Sequence, residues 1–302
     1  MKFVTAEIND ELFVGVMNQS LDKVIHLRKV LDSMGSELQL PNMMIDCISL
    51  GDKFTAAVKE VLIWLEQADN RRDYEYSLSD VKLLAPIPRP RKNVFCVGKN
   101  YAAHAIELGS EKDIPEAMIL FSKAPTAVIG HEGIVLNHKH VTDCLDYEGE
   151  LAVIIGKKGK QIAKEEAMDY VFGYTIINDI TARDLQERHK QYLLGKSLDT
   201  SCPMGPYIVH KSTIANPGNL NVETKVNGEV RQSANTEQFI FDIPTIISTI
   251  SQGTTLESGD IIATGTPAGV GKGFKPPRYL NQGDVVEVTI DGIGTLRNMI
   301  EE

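Results

Sequence analysis

Apolar and polar positions along the chain predict a strand-rich molecule with few helices. Phe3 to Ile8 and Leu12 to Met17 flank the turn residues Asn9-Asp10, which reads as a hairpin. The period then changes. Between Lys53 and Gln67, Phe54, Val58, Val61, Leu62 and Leu65 recur at helical spacings, which predicts an amphipathic helix. Residues 85–92 read APIPRPRK. Three prolines there cannot continue a helix or sit in a central strand, so a domain boundary is expected at that point, with residues 1–84 forming a small α+β unit and 85–302 the main domain. Beyond it, short β-type runs are expected at Val94–Gly98, Leu151–Ile155, Tyr174–Ile177, Tyr207–Val209, Leu220–Val226, Ile261–Thr264 and Val285–Ile290. Glycine-bearing turns such as Asn227-Gly228 and Asp291-Gly292 separate many of them. Helical candidates are Tyr101–Leu108, Lys164–Tyr170 and Thr181–Tyr192. Strands and helices do not alternate regularly, so the pattern favours an α+β, mainly β fold over a doubly wound sheet.

Composition narrows the function. The chain has 302 residues, 42% hydrophobic and 24% charged, within the range of globular proteins. A formal net charge of −10 disfavours binding to a phosphate backbone, so no nucleic-acid partner is expected. The four cysteines, Cys47, Cys96, Cys144 and Cys202, form no C-x-x-C and read as free thiols of a reducing compartment. Met1 to Glu7 shows no apolar signal core, and the apolar runs are too short to span a bilayer, which gives a cytoplasmic protein with no membrane partner as the expectation.

Four constellations could carry chemistry. In Asp146-Tyr147-Glu148-Gly149-Glu150 a strand would turn all three acids to one face, where like charges repel unless compensated. A hard divalent cation would compensate them; a solvent-exposed edge would also tolerate them. Glycine at 149 would allow close approach on the opposite face. Asp179 closes an apolar strand and reads either as a site acid or as a helix cap for Thr181 onward. Arg183 and Gln186 follow at i, i+3 and could meet a carboxylate substrate or water. His104 and Glu107 are also i, i+3, the spacing of a carboxylate-assisted general base or of a surface pair. Lys196, in Gly195-Lys196-Ser197, could hold an anion or be solvated. The glycine-rich run Gly265 to Gly273 lacks Walker spacing, and His138-Lys139-His140 lacks a third soft ligand, so neither a phosphate loop nor a zinc site is expected.

Taken in order, these pieces resemble the fumarylacetoacetate hydrolase family. The resemblance rests on Gly98-Lys99-Asn100-Tyr101-x-x-His104-x-x-Glu107, Phe121-Ser122-Lys123-Ala124-Pro125, Asp146-Tyr147-Glu148-x-Glu150-Leu151-Ala152, Gly173-Tyr174-x-x-x-Asn178-Asp179-x-Thr181-Ala182-Arg183-Asp184, Lys196-Ser197, and Thr264-Gly265-Thr266-Pro267-x-Gly269-Val270-Gly271. It implies a mostly β roll preceded by a small N-terminal α+β domain, and a homodimer. It further implies metal ligands at Glu148, Glu150 and Asp179, a base dyad at His104 and Glu107 on a lid, and Lys196 at the substrate. Arg183, Gln186, Lys123, Thr266 and Tyr101 would be substrate-binding positions. Ser122-Lys123-Ala124 stands where Leu-Lys-Pro is more usual, with little effect expected. The overall layout is similar to the bacterial subgroup with oxaloacetate decarboxylase activity.

The chemistry so implied is carbon–carbon bond cleavage in a small 2-oxo acid, by oxaloacetate decarboxylation or acylpyruvate hydrolysis. Mg²⁺ or Mn²⁺, with Ca²⁺ also accepted by carboxylates, would stabilise the enolate. Isomerisation or decarboxylation of a 2-hydroxymuconate-type diacid would use the same intermediate. A non-catalytic binding protein on the same fold is the reading from another class.

Overall fold

The structure, a computed structural model, describes residues 1–68 and 70–301. The first hairpin forms over Lys2–Ile8 and Glu11–Met17. Its two-residue turn places Asn9 and Asp10 at φ 48° and 63°, a left-handed pair whose twist matches that of the flanking strands. The expected helix spans Asp52–Gln67 and buries Phe54, Ala57, Val58, Val61 and Leu65.

These first elements are built into the main sheet. Lys2–Ile8 pairs antiparallel with Cys202–His210, Lys2 opposite Val209. From there the sheet continues through Val171–Asn178, Gly149–Ile155, Ile261–Ala263 and Val94–Gly98 to Ile119–Lys123. The proline-rich stretch at 85–92 thus separates two parts of the chain that share one sheet. A second sheet of five strands among the described residues runs Glu229–Asn235, Asn221–Val226, Val285–Ile290, Gly294–Ile300, Ile134–Val135.

Both faces of the main sheet are covered. Leu151, Val153, Ile155, Tyr174 and Val209 face the five-stranded sheet in a core with Val222, Val286, Val288 and Leu296. Ala152, Ile154, Phe172 and Ile208 face the N-terminal helices in a second core with Leu31, Ile48, Phe54 and Val61. Ring centroids of Phe3 lie 5.0 Å from Phe54 and 5.3 Å from Phe172, which ties the N-terminal layer to the sheet. Burial on both sides explains why the strand Gly149–Ile155 continues beyond Glu150 as an uninterrupted apolar run, Leu151 to Ile155. The fold is α+β and mainly β, as expected.

Two expected helices differ. Lys164–Tyr170 is a 3₁₀ segment with only Ala167 buried. The stretch Thr181–Tyr192 divides. Thr181–Ala182 pairs with Leu145–Asp146, and only then does a helix run over Arg183–His189, followed by a short one over Leu193–Lys196. The strand partner of Thr181 lies 35 positions upstream, at Asp146, and is invisible to local periodicity. No helix among the described residues is long and apolar enough to cross a membrane.

Candidate active site

Two antiparallel neighbours end together at the site. Gly149 stands opposite Asn178, so Glu148, Glu150 and Asp179 emerge from adjacent strand ends. Asn178 Oδ1 accepts the Glu148 N–H at 3.0 Å, and the Asp179 N–H donates to Glu148 O at 2.8 Å, which locks the two ends in register. One carboxylate oxygen from each of the three acids lies within 4.8 Å of the others, and all three residues are buried. On the opposite face, a Cβ at Gly149 would collide with Thr224 Oγ1 and crowd Val288, so glycine there does permit the second sheet to approach closely.

The acids are not left unpaired. Lys196 Nζ donates at 2.7 Å to both Glu148 Oε2 and Asp179 Oδ2. Lys123 Nζ donates to Asp179 Oδ1 at 2.6 Å and to Ile180 O at 2.9 Å. Arg183 donates from Nε to Asp146 Oδ2 at 2.8 Å and from Nη1 to Gln186 Oε1 at 3.2 Å. Its Nη2 lies 2.7 Å from Glu148 Oε1, an ion pair too poorly aligned for a hydrogen bond. Burial works against the charge of Lys196, but the Asp179 and Glu148 carboxylates outweigh it and hold its pKa above the ordinary lysine value. Burial likewise opposes the charge of Glu148, yet Lys196 and Arg183 pull its pKa below the ordinary range. Glu150 differs. Burial, with Asp179 and Glu148 close by, pushes its pKa well up, and its hydrogen bond is from the Gly265 N–H at 2.8 Å.

The glycine-rich run holds anions after all, but they are the protein's own carboxylates. The Gly265 N–H goes to Glu150, that of Gly269 to Glu107 Oε2 at 2.9 Å, and those of Gly271 and Lys272 to Asp146 at 2.6 and 3.0 Å. Gly269 sits at φ 104°, where a Cβ would strike Arg231 O. Asp146 therefore departs from the expectation that it shares one strand face with Glu148 and Glu150. The strand breaks at Tyr147-Glu148, and Asp146 joins the loop to Arg183.

His104 and Glu107 lie on the helix Ala102–Leu108, with Nδ1 and Oε1 2.9 Å apart. His104 is only 4% exposed, so the pair is not a solvated surface contact. The cavity above the carboxylates has a volume of about 350 Å³. His104, Glu148, Glu150, Arg183, Gln186, Lys196 and Thr266 line it. Three expected residues lie behind that wall. Lys123 and Asp179 are fully buried beneath it. Tyr101 is turned away, its ring 5.1 Å from Phe239 in an edge-on contact, so its hydroxyl is not part of the lining. Nor does Asp179 cap the following helix, whose first turn has no side-chain cap. Sequence reasoning missed Phe121, Tyr192, Lys190 and Lys272 in the lining, and Gln232, which holds the Thr266 hydroxyl at 2.7 Å. A larger cavity of about 700 Å³ near Ala85 and Ile129 is mostly apolar and, among the described residues, holds no comparable cluster of acids.

With this geometry, the family model described as Fumarylacetoacetate (FAA) hydrolase C-terminal matches residues 93–301. The chain belongs to the fumarylacetoacetate hydrolase family. It is an enzyme of that family, and relatives span its whole length. It is 56% identical to oxaloacetate tautomerase YisK of Bacillus subtilis, covering 99% of this chain and 100% of the relative. Among solved structures, a fumarylacetoacetate hydrolase from psychrophilic Exiguobacterium antarcticum is 41% identical, with a TM-score of 0.82, covering 100% and 99% of the two chains. A 2-hydroxyhepta-2,4-diene-1,7-dioate isomerase from Mycobacterium marinum is 31% identical, with a TM-score of 0.74, covering 100% and 98%. The buried trio of this family member is a group that can hold a metal ion.

Proposed function

We propose that this enzyme acts on a small 2-oxo acid of the oxaloacetate type through its enolate, with keto–enol proton transfer as the primary reaction. Decarboxylation, the cleavage expected from the sequence, starts instead from the keto form: the bond from C3 to the distal carboxylate breaks, carbon dioxide leaves, and the electron pair is taken up at the same 2-oxo oxygen as the enolate of pyruvate. The observation that carries the reading is the pairing of three buried, convergent carboxylates with the His104–Glu107 dyad across one cavity. Full-length similarity to a protein named oxaloacetate tautomerase favours proton transfer over cleavage.

The donor set suits Mg²⁺ or Mn²⁺, which prefer carboxylate oxygens. Charge supports the fit. Three buried cations, Lys123, Arg183 and Lys196, face four buried carboxylates, Asp146, Glu148, Glu150 and Asp179. Glu150 is the one without an ion-pair partner among the described residues, and a divalent cation held by Glu148, Glu150 and Asp179 would supply it. When bound there, the cation contributes Lewis-acid stabilisation of negative charge at the substrate's 2-oxo oxygen.

The chain's own residues do the rest. Glu107 accepts the Nδ1–H of His104, which fixes the tautomer and leaves Nε2 free to take a proton. Removing the proton at C3 of oxaloacetate places the electron pair on the 2-oxo oxygen; returning it to oxygen gives the enol. Lys196 lines the same wall and keeps one N–H beyond those given to Glu148 and Asp179 as a polar contact for the substrate's carboxylate end, whereas the Thr266 hydroxyl donates to Gly149 O and accepts from Gln232. For an acylpyruvate, the same Nε2 would instead activate water.

The test follows enol absorbance and pyruvate release from oxaloacetate and from acetylpyruvate, each with Mg²⁺, Mn²⁺ or EDTA. Metal-dependent enol–keto exchange of oxaloacetate that outpaces pyruvate release is expected. Turnover of acetylpyruvate alone would replace this reading with hydrolysis, and no reaction on either would overturn it.

A further inference from the structure

Resting on that reading, we infer that Lys190 is a specificity-determining residue that binds the second, distal carboxylate of a dicarboxylate 2-oxo acid at the cavity mouth. On a chain of net charge −10, this cavity is lined by five cationic side chains against three carboxylates. Four of the five are committed. Arg183 and Lys196 hold the buried acids, Lys272 pairs with Glu187, and Lys99 pairs with Asp113 at 3.4 Å. Lys190 is the fifth. It is exposed and has no ion-pair partner among the described residues.

Its position suits a second anchor. Arg183, Gln186 and Glu187 stand at i, i+3 and i+4 along one helix and all line the cavity; Lys190, the residue that closes this helix, lines it too and is exposed where Arg183 is buried. Seven residues of helix span about 10 Å, a gap that a short diacid and the long, flexible Lys190 side chain bridge together. A short diacid with its 2-oxo acid half among the buried acids would direct its other carboxylate toward the mouth. Lys190 closes the helix at φ 57°, ψ −31°, a conformation that glycine adopts freely.

The test compares oxaloacetate with 2-oxobutanoate, which differs only by a methyl group in place of the distal carboxylate. Affinity for oxaloacetate is its KM where it is turned over, or its calorimetric Kd with Mg²⁺ where it is not; 2-oxobutanoate is measured as a competitor or by calorimetry. Wild type is expected to prefer oxaloacetate at least about tenfold, as for a charge-assisted contact. Lys190→Gln should remove that preference by weakening oxaloacetate alone, with kcat nearly unchanged, and Lys190→Arg should keep it. Lys190→Gly repeats the loss at a φ glycine adopts freely, so that misfolding cannot mimic the result. Oxaloacetate bound with this preference but not turned over would sink the functional reading and leave the Lys190 assignment to the same ratio. A preference that survives in both Lys190→Gln and Lys190→Gly, or that is absent from wild type, overturns the assignment.

Discussion

The carboxylate nest and the His104–Glu107 helix face each other across one cavity, but they are held in opposite ways. The nest grows from the ends of two paired strands in the main sheet, and Glu148 and Asp179 are each gripped by two cations. The helix Ala102–Leu108 is seven residues long and buries only His104 and Ala105. Its Glu107 end is anchored to the loop by one hydrogen bond, from the Gly269 N–H to Glu107. The nest is over-determined because uncompensated buried charge is costly, whereas the helix is held by few contacts and can yield to a substrate. On the proposed function, the nest would supply rigid ligands and the helix an adjustable base, the division of labour expected of a site that must admit a substrate and then exclude water.

This contrast can be broken in stages. The largest effect is expected at the dyad. His104→Ala should lower enol–keto exchange by about 10² to 10⁴, the usual range for losing a positioned proton carrier, while the thermal midpoint stays near wild type. Decarboxylation that persists in this variant would show that cleavage needs no base from the helix. On the other side, Lys123→Met should destabilise the protein by about 3 kcal/mol in urea, because Asp179 keeps a buried charge with only Lys196 beside it. An unchanged midpoint would contradict the claim that the nest is held by its cations. Gly269→Ala should have the smallest effect, about 2 kcal/mol of stability, together with a raised KM. Its φ of 104° and the collision with Arg231 O displace the N–H that holds Glu107. Retained KM with lost stability would mean that the loop does not position the helix.

Much of this architecture is legible in the sequence where the cause is local. Val94–Gly98 and Val285–Ile290 form strands with the expected bounds, because apolar alternation and glycine turns frame them. The acid trio and the dyad are likewise legible, through a resemblance that places them in order. What local pattern does not give is pairing at long range. Lys123 reaches Asp179 across 56 positions, and Gly271 reaches Asp146 across 125. Asp146 has the same spacing as its two neighbours in the motif, so only the strand break at Tyr147 and the arrival of the loop assign it a different task. The same limit applies to the glycine-rich run. Its spacing excludes a nucleotide phosphate loop, but nothing within it tells that its N–H groups point at three acids elsewhere in the chain.

The most direct measurement of the central claim is Mn²⁺ binding, by calorimetry, to wild type and Glu150→Gln between pH 6 and 8. In the cation-free folded protein Glu150 binds its proton more tightly than in the unfolded chain, so its contribution to stability falls as pH rises above the ordinary carboxylate range. A cation displaces that proton, and wild-type affinity should therefore tighten as pH rises. In Glu150→Gln, binding should weaken by about a hundredfold or more and lose most of its pH dependence. Tight, pH-independent Mn²⁺ binding that survives Glu150→Gln would contradict the assignment of this trio as the cation site.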